Sequence, residues 1–312
     1  LENLPSDMIG VICKYLNVKE KNMLLRLSKT LRIEQRKFCY LNLKEQLSLK
    51  FYEDTNFRET INNLVIYPHR QISLNLAGSP IVDVNILRNV HALNLCGCRK
   101  VIDASALRNL HTLDLRYTSI VGVSALGNVH TLNLGATWVV DVSALGNVHT
   151  LNLSHTWVEN VSALGNVHTL NLSHTSVVDV SALGNVHTLN LSRTSVVDVS
   201  ALGNVHTLDL EYCRYVVDVS ALGNVHTLNL RGTPVVNVSA LSRVHTLNLR
   251  DTSVVDVSAL GNVHTLYLAG TSVIDVSALG NVHTLDLSNT SVVDVSALEN
   301  VHTLCLKAQC SL

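Results

Sequence analysis

Histidine is the residue type in this chain whose number and spacing could do chemistry. Of fifteen histidines in 312 residues, twelve recur at steps of 19 or 20: His91, His111, His130, His149, His168, His187, His206, His226, His245, His264, His283 and His302. Imidazole titrates near neutral pH and is a common metal ligand, so a regular file of it could hold metal ions. Yet no thiolate or carboxylate accompanies each histidine at the spacing zinc sites use. We therefore expect no metal and no other cofactor, but a structural column hydrogen-bonded at the entrance to a strand. Neighbouring imidazoles disfavour each other's charge, so their folded pKa values should lie below that of an unfolded histidine. Catalytic groupings are absent too: there is no phosphate loop, no Ser–His–Asp or Cys–His set outside the register, and no unique carboxylate pair. Side chains that recur in every unit belong to a scaffold, so no catalytic residue is assigned and no enzyme is expected.

What positions the histidines is a repeat. The nineteen residues from Val167 to Asn185 (VHTLNLSHTSVVDVSALGN) recur with small changes from about Ile72 to Leu306. The first leucine of each Leu-x-Leu pair falls at thirteen places, from Leu74, Leu93 and Leu113 to Leu285 and Leu304. With Val167 as position 1, apolar residues occupy positions 1, 4, 6, 11, 14, 16 and 17, and the histidines occupy position 2. Alternation at positions 3 to 6 is the period-two mark of a short half-buried strand. Asp179 at position 13 can cap a single helical turn through Ser181-Ala182-Leu183. The asparagine at position 19 recurs, while the glycine at position 18 gives way to Arg88, Arg108, Ser242 and Glu299. Asparagine is therefore expected to take the left-handed turn conformation. Threonine at position 3 and Asn or Asp at position 5 are expected to hydrogen-bond along the stack. Threonine at position 9, replaced by Cys98 and Cys213, is expected to steady a turn. One unit buries too little to fold alone, so units must stack. The expected product is a right-handed α/β solenoid with one parallel sheet, near 4.8 Å per turn, roughly 60 Å long; a parallel β-helix is the structural alternative.

The array resembles leucine-rich repeats in Leu170-x-Leu172-x-x-Thr175-x-Val177, and Val177 to Leu183 is similar to the short internalin-type variant. The longer units, Leu95 to Asp103 and Leu210 to Asp218, resemble the cysteine-containing repeat of F-box proteins. Ahead of the array, Leu4-Pro5-Ser6-Asp7 with Met8, Ile9, Ile12 and Leu16 reads as an amphipathic helix capped by Ser6 or Asp7. A second apolar set follows at 23–27 and a third helical stretch at 33–41. Residues 1–40 resemble an F-box in Leu4-Pro5, Met8-Ile9, Ile12, Tyr15-Leu16 and Leu27-Ser28-Lys29, departing from it at Lys21-Asn22. The resemblance implies that Leu4, Pro5, Met8, Ile9, Ile12, Leu16 and Leu27 dock the adaptor subunit of a cullin–RING ubiquitin ligase. The same helices could serve only to cap the array. We divide the chain into an F-box-like helical domain (1–45), a helical connector and cap (46–70, with a helix from Thr55 to Leu64) and the array of about thirteen units (71–312).

Residues that vary against this constant background are the candidate binding residues. They gather at positions 7, 8 and 10, along one rim: Arg116, Tyr117, Trp138, His155, Trp157, His174, Arg193, Glu211, Tyr212, Arg214, Tyr215, Arg231, Arg250 and Asp251, with Tyr267 on the inner face. Exposed Trp, Tyr and Arg are the types that anchor protein interfaces. Charge is −1 overall, too little for a nucleic-acid binder, and no apolar run is long enough to span a membrane. Seven cysteines, odd in number and scattered, suggest a reducing compartment, cytoplasmic or nuclear. The expected function is binding of a protein target by the array, as the substrate-recognition subunit of the ligase. The alternative is a scaffolding repeat protein, for which similar tandem-unit proteins of large DNA viruses of amoebae imply a place in the virion or host cell. The last strand, at Leu304-Cys305-Leu306, has no evident cap, and an open edge invites a partner or self-association.

Overall fold

The structure, a computed structural model, describes residues 39–64 and 70–306. The adaptor-docking candidates Leu4, Pro5, Met8, Ile9, Ile12, Leu16 and Leu27 lie outside these. Among the described residues, fourteen strands form one parallel sheet in strict chain order. They run from β1 (Cys39–Leu43) and β2 (Arg70–Asn75) through β3 (Ala92–Asn94) to β14 (Thr303–Cys305), and β3 to β14 have three residues each. Like pairs with like: Thr169, Leu170 and Asn171 face Thr188, Leu189 and Asn190. A one-residue slip would turn every leucine outward, so the pattern itself holds the register.

Each coil closes around a dry interior. Val167, Leu170, Leu172, Val177, Val180 and Leu183 are all buried, and so are their equivalents along the array as far as Leu287; after it Val292, Val295, Val301 and Leu304 are partly buried. Ala182 at position 16, expected inside, is only half-buried. Its place is set by its backbone, which crosses against the position-18 glycine of the coil before. A Cβ at Gly184 would sit 2.5 Å from the carbonyl oxygen of Ala201. Position 18 has an ordinary right-handed helical backbone (φ −60° at Gly184, −59° at Ser242), so glycine serves room there, not an unusual φ.

The single helical turn forms as expected, as a 3-10 turn from Ser181 to Leu183. The Asp179 carboxylate accepts the Ser181 N–H at 2.9 Å. The left-handed residue is not the asparagine at position 19. It is the residue at position 8, throughout the coils from Gly78 to Asn289. The 3-10 turn runs on into position 18 and brings the chain round without a left-handed step; the sharp reversal comes where the strand ends.

At the N-terminal end, the helix expected over 33–41 does not extend into the described residues, since Cys39–Leu43 is strand β1. Leu41 and Leu43 alternate with Tyr40 and Asn42, which suits an extended chain beside β2, with Leu43 opposite Leu74. Helices α1 (Glu45–Glu53) and α2 (Thr55–Leu64) follow. Leu47, Phe51, Phe57 and Ile61 join the core of the array. Ser48, fully buried, latches α1 to the sheet: its hydroxyl donates to the Leu43 carbonyl at 2.7 Å and accepts the Asn75 N–H at 2.9 Å. Arg58 closes the end of α1 through the carbonyls of Phe51 and Tyr52.

Candidate functional site

The rim is built by a repeated turn. Asn171 at position 5 does not bond along the stack: its Oδ1 accepts the Ser173 N–H of its own coil at 2.9 Å. One bond along the stack at this position does form, from Asn229 Nδ2 to Asp209 Oδ1 at 3.0 Å. The next residue, His174, then adopts φ 57°, and its N–H donates to the Ser192 carbonyl of the following coil at 3.0 Å. Thr175 finishes the turn by donating its hydroxyl to the Leu172 carbonyl at 2.6 Å. In the longer coils Cys98 and Cys213 reach instead to the preceding coil, with Sγ 3.0 Å from the carbonyls of Leu76 and Leu191. Burial pushes both thiols up in pKa, which makes them poor nucleophiles. Cys305, by contrast, is disulfide-bonded, which scattered free thiols did not foretell.

The candidate residues separate into several groups along the rim. Arg116 folds onto its own strand's Asp114, with Nη2 to Oδ2 at 2.7 Å, beside the exposed Tyr117. Trp138 and Trp157 stand at position 10 of consecutive coils, each 61 % exposed. Tyr215, also exposed, shares a groove of about 330 Å³ with Val197 and Val217. Tyr212 and Arg231 belong to one polar set, and Arg250 and Tyr267 to a second beside it. The Arg193 guanidinium lies 4.5 Å above the Tyr212 ring, and that ring extends across Gly232, where a Cβ would be 2.5 Å from Cε1. Arg231 bridges Asp251 at 3.0 Å and Glu211 at 3.5 Å. Arg250 covers Tyr267 at 4.5 Å and reaches two coils on to Asp286 at 2.6 Å. Burial pushes the Asp286 carboxyl up, but the Ser288 hydroxyl and N–H, with Arg250, outweigh it and hold the pKa below the usual range. Upstream, His155 and His174 stack at 4.2 Å.

A further surface escaped the sequence reading. Position 12 carries Val or Ile in eleven of twelve coils, Glu159 standing there once, and all eleven are exposed: Val82, Ile102, Val121, Val140, Val178, Val197, Val217, Val236, Val255, Ile274 and Val293. The signal was the doubled apolar pair Val177-Val178, of which only one can point inward in an extended segment. Val178 and Val197 line a groove of about 280 Å³ beside Asp179 and Asp198. Trp138, Trp157 and Tyr215 adjoin this ridge in sequence.

The histidine column is as regular as expected. Successive rings from His91 to His302 lie 4.5–4.7 Å apart. The hydrogen-bond partner of the His168 ring is the next residue's hydroxyl, with Nδ1 3.2 Å from Thr169 Oγ1. The threonines thus bond to their own histidines and not along the stack. Partial burial, and then the charge of adjacent rings, lowers the pKa of His91, His149, His187, His245 and His283. Among the described residues, no three His, Cys, Asp or Glu side chains converge in a way that could hold a metal ion. Nor is any helix there long and apolar enough to cross a membrane.

No family model matches the chain, and no curated protein is detectably similar to it in sequence. Solved structures do share its form. An internalin (inlF) of Listeria monocytogenes superposes with a TM-score of 0.63 at 16 % identity, covering 85 % of this chain and 94 % of the other. A leucine-rich-repeat protein of Leptospira interrogans gives 0.63 at 19 % identity, covering 90 % and 86 %. The functional domain of the Listeria protein InlJ, which includes a cysteine ladder, gives 0.53 at 17 % identity, covering 75 % and 70 %. These likenesses, with the single parallel sheet and the nineteen-residue coil, show that the chain has the leucine-rich-repeat solenoid fold.

Proposed function

We propose that this chain is a protein-interaction solenoid that serves as the substrate-recognition subunit of a cullin–RING ubiquitin ligase. In this reading residues 1–45 dock the adaptor, and the flank of the array that follows each strand binds the target. The observation that carries target binding is the run of exposed apolar side chains, Trp138, Trp157, Tyr215 and the position-12 ridge, on a scaffold that has no need of them for its core. Contiguous exposed apolar surface of this kind marks interaction sites. Arg231, Arg250, Tyr212 and Tyr267 supply an adjoining polar margin, and Arg116 with Tyr117 extends it toward the N-terminus. The adaptor role is supported by the F-box-like residues of the sequence. The working place of such a complex is the cytoplasm or nucleus.

Capture of the adaptor subunit by the full chain is the test. Binding that is lost in Leu4→Ala/Pro5→Ala is the expected result; no binding by the intact chain overturns the ligase reading. For the array, Trp138→Ser with Trp157→Ser should abolish recovery of captured target proteins, since interface tryptophans often contribute about 2–4 kcal/mol. Unaltered recovery would remove the ridge from the interface. A second reading is a scaffolding repeat protein of the virion or cell in which copies of the chain associate with one another. Sedimentation that shows a monomer at high concentration would exclude that association.

A further inference from the structure

The position-2 histidines lie on the side where the chain enters each strand, away from the rim where it leaves. From His111 to His283 each ring lies between two neighbouring rings, 4.5–4.7 Å from each. Beside them runs a second column, the asparagines of position 19, which Arg243 interrupts once. Asn89, Asn109 and Asn128 line one groove of about 400 Å³ with His91, His111 and His130. This strip is nearly free of acid. On positions 18 to 3 of the coils from Arg88 onward, the charged residues are Arg88, Arg108, Arg243 and Glu299. The strands add Asp114, Asp209 and Asp286 at position 5. Around His149, His187, His245 and His283 the charges that act are those of the neighbouring imidazoles. The aspartates of position 13 stand across the 3-10 turn, fixed to Ser N–H groups of their own coils.

We propose that the histidine and asparagine columns together form a track for a linear acidic polysaccharide, engaged when the histidines are protonated. Mildly acid solution charges the rings. Adjacent imidazolium groups repel, so protons load first onto alternate rings, about 9 Å apart and close to the screening length of about 8 Å at physiological salt. Anionic groups laid along the column relieve the repulsion, so binding and proton uptake reinforce one another. The asparagine carboxamides offer both donors and acceptors, which suits a chain rich in hydroxyl groups. Nucleic acid fits less well: bases stack on open aromatic faces, and here the ring faces are already occupied by each other.

The experiment measures binding of the full chain to heparin fragments (sulfated) and to oligogalacturonate (carboxylated) at pH 5.5 and 7.5, with poly(dT) alongside. The expected result is binding of one or both polysaccharides at pH 5.5, weakened at least about tenfold at pH 7.5 and falling with salt. Which of the two binds tells sulfate from carboxylate. Converting His149, His168, His187 and His206 to Gln should lower affinity at pH 5.5 by about tenfold or more, while His155→Gln with His174→Gln leaves it unchanged. Imidazole NMR titration of the unmodified chain reads the same point without a variant: the column's pKa values should rise when the polysaccharide is added. No binding at pH 5.5, equal binding at both pH values, an unaffected column variant, pKa values that stay put, or preference for poly(dT) each overturns the proposal.

Discussion

The residue that sets the character of the rim is the one at position 8. Tyr117, Ala136, His155, His174, Arg193, Tyr212, Asp251 and Asn289 all hold φ between 55° and 59°, a conformation that costs an L-residue about 1–2 kcal/mol. The turn enforces it from both sides, through the position-5 side chain on one N–H and the next coil's carbonyl on the other. Glycine would relieve the strain, and Gly78, Gly97, Gly232 and Gly270 do so in four coils. The other eight coils keep a side chain at this position, at a cost in stability. Ala136→Gly isolates the backbone effect, because it removes only a methyl group. Strain relief, less the entropy that glycine adds to the unfolded chain, should raise unfolding free energy by up to about 1 kcal/mol in urea denaturation. A decrease would show that position 8 is not strained.

Among the elements, the histidine column gives stability a pH dependence of definite sign. His91, His149, His187, His245 and His283 have folded pKa values below the ordinary one, from burial first and neighbouring rings second. In that window the unfolded chain binds more protons, so stability rises with pH. The contribution is complete above the unfolded pKa of about 6.5 and is lost as pH falls through it. The position-13 aspartates act in a separate window. The Ser181 N–H and then its hydroxyl hold Asp179 below the carboxylate range, so its contribution persists above the unfolded value of about 3.9 and is lost as pH falls through the lower folded one. The melting temperature should therefore drop between pH 8 and 5, above the window in which Asp179 titrates. A constant value over that range would contradict the column's coupling, and His149→Gln with His187→Gln should flatten the drop.

For the whole molecule, the unit of structure is the coil and not the domain. Each coil touches its neighbours in the same way, strand on strand and 3-10 turn on 3-10 turn, so stability is close to a sum over coils and interfaces. Deleting residues 167–185 removes one coil and joins Asn166 to Val186, which restores the original junction. That chain should fold with unchanged far-ultraviolet dichroism per residue and melt within a few degrees of the parent. Deleting 167–176 takes half a coil and brings polar positions into the core, and should abolish cooperative unfolding. Equal behaviour of the two deletions would contradict the stacked-coil account. Ahead of the first coils, Leu47, Phe51, Phe57 and Ile61 shield the core from solvent.

The nineteen-residue period, the buried leucines and valines, the parallel sheet and the existence of a histidine column were determined by the sequence alone. Each rests on a pattern repeated a dozen times, in which a slip of one residue would expose every core side chain. What the tertiary structure decided depends on the coils above and below. The left-handed step fell at position 8, not at the asparagine of position 19, because the next coil's carbonyl waits for that N–H. Val178 turned outward because Val177 and Val180 already fill the interior. Arg250 passed over Tyr267 to find Asp286 two coils away, a pairing that no single unit contains.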